Sequence, residues 1–128
     1  MTTTTTKTAV LIFSDPGGGD EALGRVFNAL AAAYDFDLAG SDVRVQFQGA
    51  GTRWPEQLAS PVHPAHEVYE AVRHTVVGAS RGCADVFGAS ESVQACGLDL
   101  IKDNPLPGTT GLASLRALVD DGYTILSF

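Results

Sequence analysis

Thr8–Ala9–Val10–Leu11–Ile12–Phe13, followed at once by Ser14–Asp15–Pro16–Gly17–Gly18–Gly19, decides the architecture. The first six residues are short, apolar and partly β-branched, with no polar alternation. Such a run predicts a strand buried on both faces, as in a parallel sheet. The next six residues are a turn signal. From Asp20 to Tyr34 the period changes. Leu23, Val26, Phe27, Leu30 and Tyr34 recur at steps of three and four, which predicts a helix with one apolar stripe. A strand, a turn and a helix in that order open a βαβ unit.

The same alternation continues along the chain. Val43 to Gln48 alternates apolar and polar residues, predicting a strand with one wetter face. Gly49 to Pro55 reads as a loop, and Gln57 to Pro64 as irregular chain. Ala65 to Arg73 predicts a helix and Thr75 to Ala79 a third strand, ending at Ser80–Arg81–Gly82–Cys83. Ala84 to Phe87 and Glu91 to Ala95 predict one broken or two short helices. Leu98 to Ile101 is a fourth strand, Asn104 to Gly108 a Pro-rich turn, and Leu112 to Val119 the last helix, stopped by Gly122. Tyr123 to Phe128 is the final strand. The expected fold is three-layer α/β and flavodoxin-like, with about five mainly parallel strands between helices. It forms a single domain over residues 7–128, after a frayed polar tail over residues 1–6.

At 128 residues and 13.3 kDa the chain has the size of one domain. Hydrophobic residues make up 45% and charged residues 18%, enough for an ordinary core. Fifteen acidic residues against eight basic ones give a net charge of −7, with only Lys7 and Lys102 as lysines. Nucleic acid is therefore excluded as a general partner, because phosphate binding needs clustered cations. The run from Ala9 to Phe13 is too short for a membrane span or a secretory signal, so a cytoplasmic protein without a membrane partner is expected. Low charge with high apolar content suggests a surface partly covered by further copies of the chain.

Ligands of open α/β sheets gather beyond the carboxyl ends of the strands. Three loops are expected there: Ser14–Gly19, Gly49–Trp54 and Ser80–Cys83. The glycines of the first lack the G-x-G-x-x-G spacing and a phosphate-loop lysine, and Asp20 and Glu21 would repel phosphate. A flexible turn is the better reading, and no cofactor is called for. His63 and His66 are three apart with Glu67 and Glu70 nearby, but Pro64 lies between them and no third metal ligand follows. A solvated helix start is expected there, and a structural role for His74. Gly78–Ala79–Ser80–Arg81–Gly82 fits the G-x-S-x-G elbow of serine hydrolases literally. No histidine follows His74, so the order of the triad fails.

Two cysteines cannot build a disulfide framework. Cys83 falls just after a strand and at the start of a short helix, where the dipole and free N–H groups favour thiolate, with Arg81 nearby. A packed, inert thiol is the competing reading. Cys96 lies at a helix end and reads as packing.

Gly78 to Ala89 resembles the central motif of DsrE/DsrF-like proteins. The resemblance extends through Val93–Gln94–Ala95–Cys96–Gly97–Leu98 and the ending Leu115 to Phe128. It also covers Ala9–Phe13, Gly24–Leu30 and Gly49–Trp54. It implies a flavodoxin-like fold, assembly as a homotrimer or homohexamer, and work in sulfur relay. A cysteine at the position of Cys83 would then carry sulfane sulfur as a persulfide, exchanged with a donor or acceptor protein. The subgroup most resembled carries C-x-x-C here, whereas this chain has Ser80 at the first position. That disfavours dithiol redox work and leaves Ser80 as a candidate hydrogen-bond donor to the Cys83 sulfur, with Arg81 supporting. If active, the chain is expected to be a sulfurtransferase-like carrier rather than a hydrolase or oxidoreductase. The alternative is a non-catalytic oligomeric binding or scaffold module of the same fold. A third class, a small-ligand enzyme built on the Gly-rich loop and Trp54, would show itself by a retained nucleotide or a yellow colour.

Overall fold

The computed structural model describes residues 5–128. Met1–Thr4 of the expected tail lie outside the described residues, and the carbonyl of Thr6 accepts from the Asp42 N–H at 2.8 Å.

Five strands are present among the described residues: β1 (Lys7–Ile12), β2 (Asp42–Phe47), β3 (Val76–Ser80), β4 (Asp99–Ile101) and β5 (Thr124–Ser127). All are parallel to their neighbours, in the order β4-β3-β2-β1-β5. The helices are α1 (Gly19–Leu38), α2 (Trp54–Leu58), α3 (His66–Val72), α4 (Arg81–Val86), α5 (Ser90–Ala95) and α6 (Leu115–Asp120). The order explains the layers. From β1 to β4 each step goes one way across the sheet, so right-handed crossovers put α1 to α5 on one face. The return from β4 to β5 runs the other way and puts α6 on the opposite face.

The core divides accordingly. Val10, Ile12, Val45, Phe47 and Ala79 face the larger cluster under α1 to α5, whereas Ala9 and Leu11 meet Leu118 of α6. That is why β1 reads as an unbroken apolar run: it is buried on both sides. On α1 the buried stripe is Ala22, Val26, Ala29, Leu30 and Ala33. The alanines let the helix lie close to the sheet, while Tyr34 turns outward. The helix runs to Leu38, four residues beyond the expected end, and stops at Gly40 (φ 88°) with the Ser41 N–H bonded to the Phe36 carbonyl at 2.9 Å.

Three expectations need correction. The alternation of β2 predicts a wetter face, yet Gln46 is 2% and Gln48 4% exposed, because α6 and the segment before it cover that side. Gly49–Arg53 is a 3₁₀ turn leading directly into α2, not an open loop. One local and one distant bond hold its conformation: Thr52 Oγ1 donates to the Gly49 carbonyl at 2.8 Å, and Trp54 Nε1 to the Ser14 carbonyl at 2.7 Å. The third strand passes into α4 with no intervening loop, so Arg81, Gly82 and Cys83 are already helical.

Candidate functional site

Ser80 ends β3 with extended backbone and caps α4 by position, but its side chain does not bond to the helix. The hydroxyl, fully buried, accepts instead from the Ala113 N–H at 3.0 Å. Ala113 belongs to the long segment from Lys102 to Ser114 that joins β4 to α6 and arches over the carboxyl edge as a strap. Asn104 and Leu112 exchange backbone hydrogen bonds at 2.8 and 2.9 Å, closing the strap on itself. The Gly82 N–H donates to the Gly111 carbonyl at 2.7 Å, so the strap takes one free amide of the first turn of α4. Both glycines sit at close approaches. A Cβ on Gly82 would come 2.6 Å from Leu112 Cδ1, and one on Gly111 2.9 Å from Lys102 Cβ. A third tie is the Asp85 carboxylate, which accepts from Ser90 Oγ and Thr110 Oγ1. Those two bonds, Ser90 first, hold the Asp85 carboxyl below the usual aspartate range, with a small contribution from Arg81.

Between strap and sheet edge lies a cleft of about 550 Å³. Phe13 comes to it from the end of β1, Gln48 and Gly49 from just past β2, Cys83 from the first turn of α4, and Pro105, Leu112 and Leu115 from the β4 connection. The place has a topological reason. The chain leaves β3 toward the face of α4 and leaves β4 toward the face of α6, so the two connections diverge and open a crevice. Cys83 is half-buried on its wall with a free thiol.

Of the three residues singled out from sequence, the cleft takes only Cys83 into its lining. Ser80 stands behind it and holds the strap. Arg81 does not line the cleft; its Nε is buried without a partner among the described residues. The hydrolase elbow has no exposed nucleophile, since Ser80 is sealed under the strap. Cys96 is separate: it packs against the larger core and borders a shallow hollow with Glu56 and Glu91. Burial and then Glu56 push its thiol up, against the opposing Arg73 guanidinium.

The remaining motifs resolve into backbone contacts. In the glycine-rich turn the Asp15 carboxylate accepts the Gly17 N–H at 3.0 Å and faces Arg53 at 3.5 Å, so the chain's own acid occupies that amide. His63 Nδ1 accepts from the Ala65 N–H at 3.0 Å, and the ring stands edge-on to Trp54. His66 Nδ1 pairs with the Leu58 carbonyl at 2.7 Å. Burial, then His66, lowers the His63 pKa. His74 Nε2 meets Asp37 at 2.8 Å on the surface.

Sequence reasoning missed the strap and Gln48. The Asp85–Thr110 tie and the Ser80–Ala113 bond join positions far apart in the chain, and local patterns carry no sign of them. Comparison with family models, with curated proteins and with solved structures gave no match to this chain.

Proposed function

We propose that the chain is a single-thiol sulfur carrier, with Cys83 as the loaded residue. The observation that carries this reading is the position of Cys83: it is the thiol lining the cleft on which β1, β2, β3 and β4 converge at their carboxyl ends. The residue pattern resembling DsrE-like proteins supports it. Loading begins when the Cys83 thiol loses its proton to solvent. The thiolate then attacks the outer sulfur of a persulfide R–S–SH. A Cys83 S–S bond forms, the donor S–S bond breaks, and the thiolate R–S⁻ leaves with the electron pair. Unloading repeats the exchange toward an acceptor thiolate and returns Cys83. No net oxidant is consumed. Ser80 acts from behind the thiol, by fixing the strap that forms the opposite wall.

Incubation with a sulfane donor followed by intact-mass measurement tests this. Wild type should gain the mass of sulfur, and Cys83→Ser should not. Equal gain by both, or none by wild type, overturns the proposal.

A second reading is a non-catalytic scaffold of the same fold. It is favoured by large apolar side chains left open on the surface, among them Val62 at 91% and Val86 at 76% exposure. Both readings include self-association, as homotrimer or homohexamer. Light scattering at micromolar concentration should return a multiple of 13.3 kDa; a monomeric mass would count against it. A Cys83 thiol that resists titration until the protein is denatured would favour the scaffold.

A further inference from the structure

The chemistry of the cleft wall selects among donors. Its apolar side chains are Phe13, Leu112 and Leu115, with Pro105 beside them. Phe13 and Leu115 are 42% and 37% exposed, so large apolar side chains stand open at the rim of the cleft that holds Cys83. Two ionised side chains also line it, and both are engaged. Asp103 accepts the Ser114 N–H at 2.6 Å, and the Arg116 guanidinium lies 2.7 Å from Asp120 with most of its surface in water. The one cation on the wall among the described residues has a carboxylate of its own helix beside it, and Asp103 adds a further negative charge.

Gln48 supplies the remaining signal. It is nine-tenths buried and stands on the same wall. Its Oε1 accepts from Gln46 Nε2 at 3.5 Å, and its own amide N–H₂ has no partner among the described residues. Gln48 Nε2 keeps contact with solvent in the cleft, so an acceptor on a ligand can take its hydrogen bond in place of water. The volume, about 550 Å³, lies within the range of small-molecule sites.

We propose that the cleft takes a small organic persulfide with a neutral, largely apolar body and one hydrogen-bond acceptor, and discriminates against inorganic sulfur anions. This rests on the sulfur-carrier reading of Cys83. The apolar body covers Phe13 and Leu115, the acceptor meets the Gln48 amide, and the outer sulfur faces the Cys83 thiolate. An anion such as thiosulfate would shed water against apolar side chains and beside Asp103, and would have to compete with Asp120 for Arg116, the one cation among the described residues of the wall.

A pair of thiol reagents with the same reactive group, one neutral and one anionic, tests the selectivity apart from persulfide chemistry. Benzyl and sulfonatoethyl methanethiosulfonate both transfer their sulfenyl group to a thiolate and release methanesulfinate. Their rates at Cys83 are measured in a Cys96→Ser background, and in wild type with the site read by peptide fragmentation. Each rate is divided by that reagent's rate with a small free thiol. The benzyl reagent should be preferred by about tenfold, the factor equivalent to ~1.4 kcal/mol. Leu115→Ser, at a half-exposed rim position, should reduce the benzyl rate and leave the sulfonatoethyl rate. Equal normalised rates, or preference for the anion, overturn the proposal, as does a Cys83 that neither reagent reaches in the native protein. Benzyl preference without persulfide loading refutes the carrier reading and leaves the ligand class standing. Loading without benzyl preference refutes the ligand class alone.

Discussion

Ser80 shows how one atom decides a residue's meaning. In the strand-to-helix junction it resembles a nucleophile or the lost half of a C-x-x-C pair, yet its hydroxyl is spent on the Ala113 N–H. Ser80→Ala leaves a buried donor unpaired, so unfolding stability should fall by ~1–3 kcal/mol in denaturant titration. Tyr69 makes the opposite case. Its hydroxyl is buried without a partner among the described residues, and burial pushes its pKa up to about 12. Tyr69→Phe removes a group that gains nothing from folding, so the midpoint of unfolding should stay or rise, by up to ~1 kcal/mol. Asp85 links the strap to pH. Its carboxyl is held below the ordinary aspartate value in the folded chain by Ser90 and Thr110. The contact therefore stabilises the strap above the unfolded pKa and is lost as pH falls through the folded one. Amide protection at Thr110–Ala113 should drop in acid, and Asp85→Asn should lower it at neutral pH and flatten the pH response.

Elements repeat this division between local and distant causes. The strands and α1 were legible because their signals are periodic and local: the solid apolar run of β1 and the three–four spacing of α1. The burial of Gln46 and Gln48 was not legible. A glutamine on a sheet face looks the same in sequence whether water or a helix lies over it, and the cover here comes from α6, far along the chain. Cys83 was legible as a residue at a strand end. Its cleft was not, because the opposite wall is a strap whose ties run from Ser80, Gly82 and Asp85 to partners some 25 to 33 residues on. Close approach was equally hidden. Gly51 has ordinary φ, but a Cβ there would sit 2.1 Å from the Ile12 carbonyl oxygen, which is backbone and cannot yield. Gly51→Ala should cost ~3 kcal/mol or prevent folding, as read by thermal unfolding. Gly82→Ala meets mainly the movable end of Leu112, so it should cost less and loosen the strap, seen as faster Cys83 labelling.

The molecule as a whole is lopsided. Among the described residues, five α-helices cover one face of the sheet, and the other has the six residues of α6 together with the strap. The larger core carries the stability, and the thinner side carries the cleft. Regions with few buried apolar contacts open first, so the site lies where small motions cost least. The sheet also closes in an unusual order in time. β1, made before the other four strands described, lies between β2 and β5, and its pairing with β5 runs from Thr8 opposite Thr124 to Leu11 opposite Ser127. Almost the whole chain separates those partners. At ~5–20 residues per second a ribosome leaves that edge of β1 unpaired for on the order of ten seconds. A newborn chain therefore passes through a stage in which an apolar strand is open to any neighbouring nascent copy, and synthesis rate becomes part of its folding problem.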